Sequence, residues 1–138
     1  MGDDVITILC VDDEDIPRTV RKMILQKQGY KVLTAASGRE ALALVEAAGV
    51  SLVLTDQMMP GMTGTELAKS IKAKSPTMPV ILISGMNEIP PDAIYADRFV
   101  SKIGGPELLF STVAEVLNEY GKSLENPLET LGRGELPR

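Results

Sequence analysis

Apolar residues fall along this chain in two rhythms that take turns. Three short unbroken runs, Val5-Ile6-Thr7-Ile8-Leu9-Cys10-Val11, Leu52-Val53-Leu54-Thr55 and Pro79-Val80-Ile81-Leu82-Ile83, are too brief for free-standing helices. They lack the in-out alternation of a half-exposed strand, so they read as strands buried on both faces of a parallel sheet. Between them apolar positions recur at helical spacing. Residues 15–28 place Ile16, Val20, Met23, Ile24 and Lys27 in one stripe, with Pro17 in the first turn and Gly29 as a stop. Ser37-Gly38-Arg39-Glu40 reads as a capping box ahead of Ala41, Leu42, Leu44, Val45 and Ala48. Thr63-Gly64-Thr65-Glu66 is a second such box, ahead of Leu67, Ala68 and Ile71. With Lys31 to Ala35 as a second strand and Arg98 to Ser101 as a fifth, the pattern predicts five strand–helix pairs, the mark of an α/β fold with crossover helices.

The fourth connection carries the weakest signal. Residues 86–97 hold Pro90-Pro91 and only a short Asp92-Ala93-Ile94-Tyr95-Ala96 stretch, which predicts a short or irregular fourth helix. A last helix opens at Gly105-Pro106-Glu107, faces inward with Leu108, Leu109, Val113, Val116 and Leu117, and stops at Gly121. The expected domain is therefore 1–121. Residues 122–138, with two prolines, two glycines and sparse leucines, read as a flexible C-terminal tail or linker.

Composition narrows the function classes. A length of 138 residues suits one core, and no apolar run approaches the roughly 20 residues of a membrane span. A net charge of -5 argues against direct nucleic-acid binding, which needs clustered Lys and Arg. The acidic start Met1-Gly2-Asp3-Asp4 and the single cysteine point to the cytoplasm. With no histidine and one cysteine, a zinc site lacks its usual ligands, so any metal would be a hard cation held by oxygens, with Mg2+ first.

The strand ends supply those oxygens. In an open parallel sheet function collects at the carboxyl ends of the strands, and here they present Asp12 and Asp13, Asp56, Ser84 and Lys102. Three acids, a hydroxyl and an ammonium suit a divalent cation beside a phosphoryl group, and one acid could itself be the nucleophile, forming an acyl phosphate. Asp12 could also cap the first helix, and Glu14 and Asp15 read as favourable charges at that helix's N-terminus. Cys10, inside a buried strand, reads as a small hydrophobe.

Val11-Asp12-Asp13-Glu14, the loop Thr55-Asp56-Gln57-Met58-Met59-Pro60-Gly61-Met62-Thr63-Gly64, Ser84-Gly85 and Lys102 occur in an order that resembles the response-regulator receiver domain, over roughly residues 6–120. The resemblance implies a flavodoxin-like, doubly wound five-stranded parallel sheet of order 2-1-3-4-5 with helices on both faces. It implies Asp56 as phosphoacceptor, and Asp13, Asp56 and the Met58 backbone carbonyl as Mg2+ ligands, with Asp12 acting through water. Ser84 and Lys102 would contact the phosphoryl group, and Phe99 would be the switch aromatic. The expected partners are a histidine kinase or phosphotransfer protein as phosphodonor and a downstream protein, and there is room for a weak homodimer. Such a protein is a signalling phosphoacceptor with limited self-catalysis, not a turnover enzyme.

Three features depart from the family pattern. The interval from Ser84 to Lys102 is about one helical turn short, Ile103 follows Lys102 where relatives carry a cis proline, and Tyr95 stands where a glycine is common. Two alternatives keep the same residues. A haloacid-dehalogenase-like phosphatase would use Asp13 in Asp13-Glu14-Asp15, and a pseudo-receiver would bind partners without being phosphorylated.

Overall fold

The computed structural model describes residues 5–85 and 93–122. The elements follow the predicted alternation: β1 (Thr7–Val11), α1 (Asp15–Lys27), β2 (Lys31–Ala35), α2 (Gly38–Ala47), β3 (Leu52–Asp56), α3 (Gly64–Lys74), β4 (Val80–Ser84), β5 (Arg98–Ser101) and α4 (Gly105–Glu119). The strands form one parallel sheet of order β2-β1-β3-β4-β5, as expected of the doubly wound fold. β1, β3 and β4 are buried along their whole length, which is why they read as unbroken apolar runs.

Alternate residues of these strands feed two cores. Ile8, Cys10, Leu54, Ile81 and Ile83 pack with Leu25 of α1 and Val113, Val116 and Leu117 of α4 on one face. Leu9, Val11 and Val53 pack with Ala41 of α2 and Leu67, Ala68 and Ile71 of α3 on the other. The doubly wound order places β1 and β3 side by side, so the acids at their ends share one edge.

The helix signals are met to different degrees. Thr63 and Glu66 close a complete capping box on α3. At α2 half of the expected box forms: Ser37 accepts the Glu40 N–H, while the Glu40 carboxylate reaches back to the Ala36 N–H at 2.6 Å. α1 buries only part of its predicted stripe, since Ile24 packs against the core while the rest does not. Ile16, Val20 and Met23 are 78%, 46% and 59% exposed, and the side facing the sheet carries Pro17, Arg18, Arg21, Ile24 and Leu25. In this rotation Leu25 enters the core with Ile24 against it, Arg21 meets the Asp12 carboxylate and Arg18 the Asp12 carbonyl. On α4, Leu108 likewise points outward, and Thr112 joins the buried side instead.

Between β4 and β5 the described residues contain a 3-10 turn, Ala93–Tyr95; the rest of the segment expected to hold a short or irregular fourth helix, residues 86–92, lies outside the described residues. Just after the turn, Asp97 accepts from Lys72 Nζ at 2.9 Å, Tyr120 Oη at 2.6 Å and the Val80 N–H at 2.8 Å, joining α3, β4 and the end of α4 below the sheet. The Lys102–Ile103 peptide is trans, since the described residues include no cis bond. The predicted tail lies outside the described residues after Lys122.

Candidate functional site

β1 ends at Val11 and hands on directly to Asp12 and Asp13; β3 ends on Asp56 itself. Carboxylate oxygens of Asp12, Asp13 and Asp56 come within 4.8 Å of one another. Asp12 and Asp56 are 2% and 3% exposed, and Asp13 faces solvent. Bringing buried carboxylates together is unfavourable unless cations answer them, and the chain supplies two. Lys102, one residue past β5, sets its Nζ 3.0 Å from Asp56 Oδ1. Arg21, from α1, sets Nη1 2.6 Å from Asp12 Oδ2, while the Glu14 N–H donates to Asp12 Oδ1 at 2.9 Å. Asp12 is not the cap of α1 that its position suggested: Glu14 is the N-cap, no side chain caps the helix, and the N–H that Asp12 accepts there is that of Glu14 itself.

The Lys102 contact is an ion pair rather than a directed hydrogen bond. Asp56 Oδ1 is the buried side-chain oxygen, among the described residues, to which no donor is aimed. Burial pushes the Asp56 carboxyl above its ordinary pKa, Asp12 adds to that, and Lys102 and Arg21 hold it back. An all-carboxylate donor set with an oxygen left short of a donor fits a hard divalent cation of the Mg2+ type.

The loop after Asp56 is held tightly. Gln57 Oε1 accepts from both the Thr65 N–H at 2.9 Å and the Thr65 hydroxyl at 2.8 Å, and the Gln57 carbonyl accepts the Gly64 N–H at 2.9 Å. A Cβ on Gly64 would stand 2.4 Å from the Asp56 carbonyl oxygen, so glycine lets α3 start against the acid. Met58 lies in this loop with its side chain exposed.

Ser84 closes β4, buried, and is paired in register with Ser101; its carbonyl accepts the Lys102 N–H at 3.0 Å. That bond fixes the start of the turn carrying Lys102. Phe99 sits in register with Leu82 on the edge strand and is 39% exposed. Cys10 stays a core residue, its thiol pushed up to about 12 by burial. The sequence reading missed Arg21 and Gln57. Arg21 was legible in principle, because Arg18 and Arg21 lie three apart, on one face of the helix that follows the acids.

Comparison with known proteins agrees with this geometry. The sequence profile described as the response regulator receiver domain matches residues 8–114. A cyclic di-GMP phosphodiesterase of Thermotoga maritima is 35% identical over 136 residues, covering 89% of this chain and 36% of that protein. The sensory transduction protein RegX3 of Mycobacterium bovis is 31% identical over 119 residues, covering 83% of this chain and 52% of its own. The chain therefore spans a third to a half of the length of these relatives. The crystal structure of the response regulator TrrA from Thermotoga maritima, in complex with Mg2+-BeF, superposes with a TM-score of 0.78 at 33% identity, covering 82% of this chain and 100% of that one. The two buried acids, the exposed third acid and the lysine beside Asp56 thus sit in a chain that belongs to the response regulator receiver domain family.

Proposed function

We propose that this chain is a phosphorelay receiver that accepts a phosphoryl group on Asp56 in a Mg2+-dependent reaction and passes the signal on as a change of shape. The observation that carries this reading is the convergence of Asp12, Asp13 and Asp56 within 4.8 Å, with Lys102 on the central acid. Asp12, Asp13 and Asp56, with the Met58 carbonyl, would hold the cation. Bound there, it would offset repulsion between the Asp56 carboxylate and an incoming phosphoryl dianion.

In the reaction an Asp56 carboxylate oxygen forms the new O–P bond, the bond from phosphorus to the donor's histidine nitrogen breaks, and that nitrogen keeps the electron pair. Lys102 stabilises the added charge on the phosphoryl oxygens, and the Ser84 hydroxyl donates to one of them. Movement of Ser84 towards Asp56 would open space that the half-exposed Phe99 ring fills, altering the surface beside β5. A phenylalanine can report only by packing, having no hydroxyl.

The donor would be a histidine kinase or phosphotransfer protein in the cytoplasm, and the output a downstream protein contact, with weak self-association as an added route. The Mg2+-BeF complex of TrrA supports the cation and phosphoryl pairing by likeness. Asp15, the second acid of the phosphatase alternative, is exposed and paired with Arg18, away from the cluster, which favours the receiver.

Incubation with Mg2+ and acetyl phosphate is expected to give a hydroxylamine-labile mass gain of one phosphoryl group. Asp56→Ala should abolish it and EDTA suppress it. An adduct that persists in Asp56→Ala overturns the assignment, and loss confined to Asp13→Ala points to the phosphatase. No adduct on the wild type leaves the pseudo-receiver.

A further inference from the structure

Arg21 is not among the groups that a phosphoacceptor site needs, yet its side chain is only 15% exposed and its guanidinium makes the shortest contact that the cluster has. It answers Asp12 Oδ2, while the Glu14 N–H serves Oδ1 and Arg18 is occupied by the Asp12 carbonyl and by Asp15. A guanidinium keeps its charge, so Arg21 stands opposite Asp12 as a permanent cation.

We infer that Arg21 is a resident counter-charge, doing for Asp12 in the metal-free protein what a divalent cation does in the metal-bound one, and so making the affinity for that cation weaker before Asp56 is phosphorylated than after. The inference rests on the reading of the acid cluster as a cation site. Three carboxylates against Lys102 and Arg21 leave one net negative charge, less than a divalent cation brings. Conversion of Asp56 to an acyl phosphate adds about one more negative charge, and the site then matches a single divalent cation. Without Arg21 the empty cluster would carry two net negative charges and bind the cation more tightly before phosphorylation. The guanidinium also has somewhere to go, because Arg21 lines a groove of about 310 Å3 between α1 and α4, together with Val20, Ile24, Lys102 and Leu109.

The test compares wild type, R21M and R21K by thermal unfolding in EDTA and in saturating Mg2+, with Mg2+ affinity from titration calorimetry. R21M strands a buried carboxylate, so its Tm in EDTA should fall by about 5–10 °C, and Mg2+ should restore most of the loss. Its Mg2+ affinity should rise on the order of tenfold. R21K keeps the charge and should stay near wild type in both readings, although methionine fills the volume equally well. An R21M protein that is destabilised equally with and without Mg2+, or that stays unfolded at saturating Mg2+, overturns the inference and leaves Arg21 a packing residue. A wild type indifferent to Mg2+ is a different result, which removes the cation site itself and the inference with it.

Discussion

Helices α1 and α3 each follow a strand that leads into acid, β1 into Asp12 just beyond its end and β3 into its last residue Asp56, but different contacts fasten them to the sheet. α3 lays Leu67, Ala68 and Ile71 into the core, all fully buried, and its first turn is locked by the Thr63–Glu66 capping box. α1 buries only Leu25 completely, has no side-chain cap, and holds its place through Arg18 and Arg21 on Asp12. A hydrocarbon anchor is indifferent to what occupies the acid cluster. An electrostatic anchor shares its partner with any cation that enters, so α1 is the helix through which occupancy of the site can be felt.

The largest effect that bears on this contrast comes from Leu67→Ala. It should cost about 2–5 kcal/mol in urea unfolding, because the side chain is wholly enclosed between α3 and the sheet. The loss should be the same in EDTA and in Mg2+. A Leu67→Ala loss that Mg2+ repairs would make α3 as ion-sensitive as α1 and dissolve the distinction.

The far end of α3 sharpens the comparison, because it too ends in an ion pair, Lys72 on Asp97, but one remote from the acid cluster. Burial alone would raise the Asp97 pKa. Hydrogen bonds from Tyr120, the Val80 N–H and Lys72, with the Lys72 charge, bring it below its ordinary value. A carboxyl depressed on folding holds its proton more tightly in the unfolded chain. Its stabilisation is therefore complete above the unfolded pKa, near 3.8, and is lost as pH falls through the lower folded value. Asp97→Asn should cost about 1.5–3 kcal/mol at neutral pH and flatten that acid limb, as read from urea midpoints between neutrality and acid. An unchanged acid limb in the variant would assign it to other carboxylates.

The same contrast explains what could be read from the sequence. β1, β3 and β4 were legible because burial on both faces leaves them almost wholly apolar, and α3 was legible because its packing and its cap are local patterns. The span of α1 was legible but the face it buries was not, because Ile16, Val20 and Met23 of its apolar stripe are exposed and Arg21 reaches back to an acid nine positions earlier. The acids and Lys102 were found through their place at strand ends, which topology alone brings together. That Lys102 lies against Asp56, and Arg21 against Asp12, depends on side-chain reach across elements, which no periodicity encodes.

The smallest effect is the most pointed one for α1. Val20→Ala and Met23→Ala remove the residues that a periodicity argument would place in the core, yet both lie largely in solvent and should each change stability by less than about 0.5 kcal/mol. Either variant costing as much as Leu67→Ala would mean that the stripe is covered in solution and that hydrocarbon, not Asp12, sets the rotation of the helix. Small losses in both, beside a Mg2+-repairable loss in R21M, would place the fastening of α1 on the guanidinium, since the helix would then tolerate losing its apolar surface but not its charge.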